Sequence, residues 1–223
     1  MMPLPSRLAQ WAHLFQASGE KYALSPALLA SICKRESFGG MFLKPQGSEG
    51  SGDWVTRKEK PERPIYSTSS RYVAHKLPDG ELGYVPADGM GWGRGLMQID
   101  YQSHGDWCAQ KAPSGLFLWQ VASENIDKGA EILAGNLETF SHALLPEMLA
   151  DKSEFSAAVR ACAVAAYNAR TSSVLRVVMD LTTETTLDAV LYAVDGVTTG
   201  GDYVSSVLHF MKSFSTDKEL LHG

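Results

Sequence analysis

The stretch "FSAAVRACAVAAYNAR" constrains the fold of this chain more than any other. Phe155, Ala158, Val159, Cys162 and Ala166 recur at three- and four-residue steps, the period of a helix with an apolar stripe. The small residues in that helix let neighbours approach closely, which suits a central, buried position.

Similar stripes flank it. Leu8, Trp11, Ala12 and Phe15 form one, and Ile126, Gly129, Ala130, Leu133, Leu137 and Phe140 another. Leu28, Leu29, Ile32 and Cys33 form a third, behind Ser25 as a cap and Pro26 at the first helical position. Shorter helices are predicted near 172–181, 185–194 and 202–215. Residues 44–95 break this pattern, being rich in Gly, Pro, Ser and charge. Only "ELGYVP" and "GLMQID" read as strands there. The expectation is an α+β, mainly α fold. It is a single domain over 1–223, with a long insertion or small β lobe at about 44–88.

Bulk properties narrow the function. At 223 residues the chain supports one good core. The net charge of −5 gives no prior for nucleic acid, which is not expected as a partner, and none for a polyanionic wall. No apolar run is long enough to cross a bilayer, so no membrane insertion is expected. The N-terminus lacks the apolar core of a secretory signal, so the chain is expected to be made soluble. Cys33, Cys108 and Cys162 lack metal-ligand spacing and read as small buried hydrophobes. No metal or cofactor is expected. The six histidines form no H-E-x-x-H arrangement, and neither a G-x-S-x-G elbow nor a P-loop occurs.

Three segments carry candidate chemistry. In "ICKRESFGG", Glu36 continues the stripe of Leu29 and Ile32 and sits at the negative end of its helix. Desolvation and the helix dipole both favour its protonated form, as a general acid requires. The alternative is a terminal-turn glutamate paired with Lys34 or Arg35. In "GMGWGRGLMQID", alternate glycines permit tight turns, Trp92 can offer a flat face to a sugar ring, and Gln98 and Asp100 share a face. The alternative is a glycine-rich hairpin with a solvated aspartate. In "AAYNAR", Tyr167 and Asn168 can stack on or hydrogen-bond a sugar, or Asn168 can simply cap its helix.

In chain order, "ALLASICKRESFGG", "GWGRGLMQID", "NIDKGAEIL", "AAYNA" and "DGVTTGGDYVSSV" together resemble the goose-type lysozymes, within the group that includes lytic transglycosylases. The resemblance covers roughly 24–43 and 89–214. It implies a lysozyme-like fold and a muramidase acting on peptidoglycan glycan strands. Glu36 would protonate the oxygen between N-acetylmuramic acid and N-acetylglucosamine. Asp100 matches one of two family aspartates that position or activate water. The other usually follows Gly-Trp-Gly, where this chain has Arg94, and Asp88 is the candidate substitute. Trp92, Gln98, His104, Tyr167, Asn168 and Tyr203 would bind substrate.

Inversion is the expected outcome. Transglycosylation to 1,6-anhydro products, or wall binding without catalysis, are the alternatives. A monomer is expected, with an inhibitor or immunity protein left open as a partner. Delivery would come from a partner pore, as for an endolysin, or from a secretion machine. Residues 57–76 hold six Lys/Arg (57, 58, 60, 63, 71 and 76) against Glu59 and Glu62, about +4 locally. Either the segment lines the cleft and attracts an anionic wall polymer, or it is a solvated, mobile loop.

Overall fold

The computed structural model describes residues 4–58 and 72–215. Among them the chain is mainly helical with small antiparallel sheets, so the expected α+β, mainly α class holds. In order come α1 (Ser6–Ala9), α2 (Ala12–Tyr22), α3 (Pro26–Ser37), β1 (Ser51–Gly52), β2 (Tyr72–Lys76), β3 (Leu82–Pro86), β4 (Gly93–Arg94) and β5 (Ile99–Asp100). Then follow α4 (Tyr101–Cys108), α5 (Ala122–Ala143), α6 (Phe155–Asn168), α7 (Thr171–Met179), α8 (Leu187–Asp195) and α9 (Tyr203–Phe214). The residues fall into two compact units.

Of the described residues, one unit holds 16–31 and 130–215. At its centre is α6, whose Ala158, Ala161, Cys162, Ala163, Val164 and Ala165 are fully buried. The helices α7, α8 and α9 pack around it, as the small residues of α6 predict. Asp195 closes this arrangement. Although it ends α8, it accepts the backbone N–H of Val204 at 2.6 Å and of Ser205 at 3.0 Å. It thereby satisfies donors in the first turn of α9 that have no intrahelical partner.

The other unit holds residues 4–15, 32–58 and 72–129. It contains β1, β4 and β5 as one antiparallel sheet, with Ser51 opposite Arg94 and Gly93 opposite Asp100. The strands β2 and β3 form a separate hairpin, Tyr72 opposite Pro86 and Lys76 opposite Leu82. No helix occurs among the described residues between α3 and α4. The strand read in "GLMQID" is shorter than expected. Gly95 and Gln98 both have positive φ, so residues 95–98 form a turn and only Ile99–Asp100 pairs. The burial alternation survives this correction: Met97 and Ile99 are buried, Gln98 and Asp100 half-buried.

Of the basic segment, residues 59–71 lie outside the described residues. Arg57 and Lys58 are already matched internally, to Asp53 and Asp100 and to Asp79 and Glu81 respectively. No helix of the described residues is long and apolar enough to cross a membrane.

Candidate active site

Glu36 occupies the last turn of α3 and is half-buried. The helix stops one residue later, at Ser37, because Phe38, Gly39 and Gly40 all take positive φ. Glycine is required at the latter two positions. A Cβ on Gly39 would strike the Arg7 carbonyl, and one on Gly40 would press on the Gly47 backbone. Ser37 fixes this end. Its Oγ donates to the Leu96 carbonyl at 2.6 Å and accepts from Gly40 N at 3.1 Å. The turn bearing Glu36 is thus tied to the glycine-rich segment. Cys33, one turn back, is fully buried, and burial pushes its thiol up to about 12, with the Glu36 carboxylate adding a smaller push.

The glycine-rich segment is held from the other side by Asn125, which is fully buried. Its Oδ1 accepts Met97 N at 2.7 Å and its Nδ2 donates to the Arg94 carbonyl at 2.9 Å. Gly95 packs against the same side chain, where a Cβ would not fit.

Arg94 is 0 % exposed. Its guanidinium lies 4.3 Å from the centre of the Tyr101 ring and 5.3 Å from that of Trp119. It donates in bidentate fashion to Asp88, Nη1 to Oδ2 at 2.9 Å and Nη2 to Oδ1 at 3.1 Å. Asp88 Oδ1 also accepts Met90 N at 3.0 Å. Among the described residues Asp88 is the only carboxylate partner of Arg94.

Asp100 is the N-cap of α4. It accepts Gln102 N at 3.3 Å, Ser103 N at 3.1 Å and Ser103 Oγ at 2.7 Å. Arg57 Nη1 lies 3.0 Å from Asp100 Oδ1 and also donates to Gln102 Oε1 at 2.7 Å. Arg57 is itself fixed by backbone hydrogen bonds to Tyr84 in both directions.

Trp92 needs correction as a sugar-stacking residue. It is 0 % exposed, with Arg57 Cζ 4.4 Å from its ring centre, the Tyr72 ring stacked at 5.5 Å and Nε1 donating to the Val55 carbonyl. Its ring is a support for Arg57 and has no face left for a ligand. Gln98 is half-buried and donates from Nε2 to the Gly95 carbonyl at 2.9 Å. Its side chain lies over Gly52 and Gly93, where no Cβ could stand. His104 is half-buried at a kink in α4, with φ −125° and ψ 30°.

Glu36, Asp88, Trp92, Gln98, Asp100 and His104 belong to one unit; Tyr167, Asn168 and Tyr203 belong to the other. Tyr167 is half-buried, and Asn168 Oδ1 accepts Thr199 N at 2.8 Å, fixing the loop before α9. Tyr203 is 2 % exposed, which corrects its assignment as a sugar contact because its ring is spent on packing. A cavity of about 590 Å³, lined by Leu24, Leu28, Leu137, Phe155, Arg160 and Met211 among others, contains none of these candidates.

Ser37, Arg57, Asn125 and Asp195 were not foreseen. The N-cap signal of Asp100 before a helix was readable; the partners of Arg57 and Asn125, distant in sequence, were not. The described residues contain no group of His, Cys, Asp and Glu able to hold a metal ion. No family model and no curated protein matches the chain.

Proposed function

We propose that this chain is a muramidase of the goose-type lysozyme kind. It cleaves the β-1,4 bond between N-acetylmuramic acid and N-acetylglucosamine in peptidoglycan, with Glu36 as general acid. The observation that carries this reading is the setting of Glu36. It is a half-buried carboxyl on the terminal turn of α3, held against the glycine-rich segment through Ser37 and Leu96. General-acid catalysis requires a carboxyl positioned to give a proton to the leaving oxygen, the part this reading assigns to Glu36. Two further carboxyls, Asp88 and Asp100, lie in the same unit and could serve the water that inverts the anomeric centre.

A transglycosylase is the second reading, and one observation favours it. Asp100 is so fully engaged by its own helix and Arg57 that a mechanism needing only Glu36 gains weight. Product analysis separates the two. Purified wall digested by the protein should yield muropeptides with hydrated, reducing muramic ends. 1,6-Anhydro ends would establish the second reading, and no soluble product would refute both.

A further inference from the structure

Trp92, buried under Arg57 and Tyr72, aims both of its N–H groups at one segment. Its main-chain N donates to the Asp53 carbonyl at 2.8 Å, and its Nε1 donates to the Val55 carbonyl at 2.9 Å. Those two carbonyls flank Trp54. Asp53 turns the chain there with a φ of 51°, and its Oδ2 accepts Arg57 Nη2 at 2.8 Å. Arg57 is in turn hydrogen-bonded through its main chain to Tyr84 in both directions. The backbone is therefore fixed before and after Trp54, yet Trp54 itself is 48 % exposed.

Other exposed groups accompany this ring. Lys44 Nζ lies 6.0 Å from the centre of the Trp54 ring. Two backbone hydrogen bonds of 3.0 Å join Lys44 to Ser51, so the main chain sets its place beside the indole. Lys44 has no carboxylate partner among the described residues. Phe42, two residues before it, is 65 % exposed, and Val55 is exposed beside Trp54 in the chain. Phe42 stacks on Phe38 at 5.6 Å, and its N–H donates to the Ser37 carbonyl at 3.1 Å. These aromatic residues thus start in the turn that closes the helix of Glu36. Exposed apolar patches of this kind mark binding surfaces, and an aromatic on a fixed backbone loses little freedom when it binds.

Resting on the muramidase reading, we propose that Trp54 is the platform on which one pyranose ring of the glycan strand stacks, with Lys44 beside it pairing with a carboxylate of the attached peptide stem. Trp92 is the support and Trp54 the contact. Lys44 and Trp54 lie in residues 44–88, where the resemblance to goose-type lysozymes does not reach, so this contact belongs to the insertion. A pyranose presents an apolar C–H face and a rim of hydroxyls; a flat, half-exposed indole covers the face and leaves the rim to water. The ammonium next to it favours strands that carry anionic stems over neutral ones. On a chain of net charge −5, such a local cation is what an anionic polymer can approach.

The test uses the whole protein and two substrates. The β-1,4 tetramer of N-acetylglucosamine, a neutral glycan, should shift the tryptophan fluorescence of the wild type, and Trp54→Ala should abolish the shift. On purified sacculi, Trp54→Ala should raise KM about 10-fold with kcat within a few fold, the mark of binding shared by ground and transition states. Trp54→Phe keeps a smaller flat face and should fall between the two. Lys44→Met should raise KM on sacculi a few fold and leave tetramer affinity unchanged. All three variants should melt with the wild type. A wild type that releases muropeptides while Trp54→Ala keeps both its KM and its fluorescence response overturns the inference alone. Sedimentation with phosphatidylglycerol vesicles that Trp54→Ala abolishes, with no response to the tetramer, gives the patch to a lipid surface and overturns it too. A tetramer response without product release overturns the muramidase reading and leaves the platform standing. Neither response nor product overturns both.

Discussion

Ser37 Oγ donates to the Leu96 carbonyl at 2.6 Å, joining the last residue of α3 to the glycine-rich turn fifty-nine positions further on. The same oxygen accepts Gly40 N and lies within 3.3 Å of the Cys33 carbonyl. One hydroxyl therefore holds the helix stop and the neighbour of Glu36 in register with the segment carrying Arg94.

Ser37→Ala removes that hydroxyl and leaves the Leu96 carbonyl buried without it. Leaving one buried polar group unsatisfied costs about 1–3 kcal/mol. A lower urea midpoint at unchanged m-value is expected, together with weakened lysis, because Glu36 loses its fixed turn.

Asn125→Asp tests the second support. The Met97 N–H keeps an acceptor, but a carboxylate oxygen now faces the Arg94 carbonyl where an amide donated at 2.9 Å. Destabilisation should be of the same order as for a buried unsatisfied group, about 1–3 kcal/mol or more. Thermal melting measures it, and the loss should shrink at low pH where the new side chain is protonated and can donate.

Asp195→Ala should destabilise the helical unit by about 0.5–2 kcal/mol, the range for loss of an N-terminal cap. Its oxygens serve both Val204 N and Ser205 N. Faster amide exchange at Val204 and Ser205 is the local signature, with the β-containing unit unaffected.

Alkaline pH should expose the buried thiols. Burial pushes Cys33 and Cys162 each up to about 12 from an ordinary 9.0. The unfolded thiols ionise first, so the native state binds more protons between those values and stability falls as pH rises through that window. Each thiol contributes at most about 1.4 kcal/mol per pH unit. The slope of stability against pH between 9.0 and about 12 should flatten in Cys33→Ala/Cys162→Ala, and native thiols should resist a thiol reagent below pH 9.0.

What the residues disclosed in advance was local. The start of α3 at Pro26 and its end before Gly39 follow from chemistry next to each other in the chain. The central place of α6 follows from its alanines. What stayed hidden was contact made over distance. Trp92 between glycines suggests an exposed ring; it is buried because Arg57 and Tyr72, from the insertion, lie against it. Arg94 stands where the resemblance would put an aspartate, and it is buried with its guanidinium on Asp88, a contact with a residue six positions earlier that its neighbours in the chain do not announce. Asp100 carried a capping signal that alternation with Ile99 and Met97 obscured.

The central claim is that Glu36 supplies the proton, and Glu36→Gln measured on purified sacculi tests it most directly. The account predicts that release of soluble muropeptides falls by about 100-fold or more while the variant still sediments with the wall and melts with the wild type. Equal release by both proteins would contradict it.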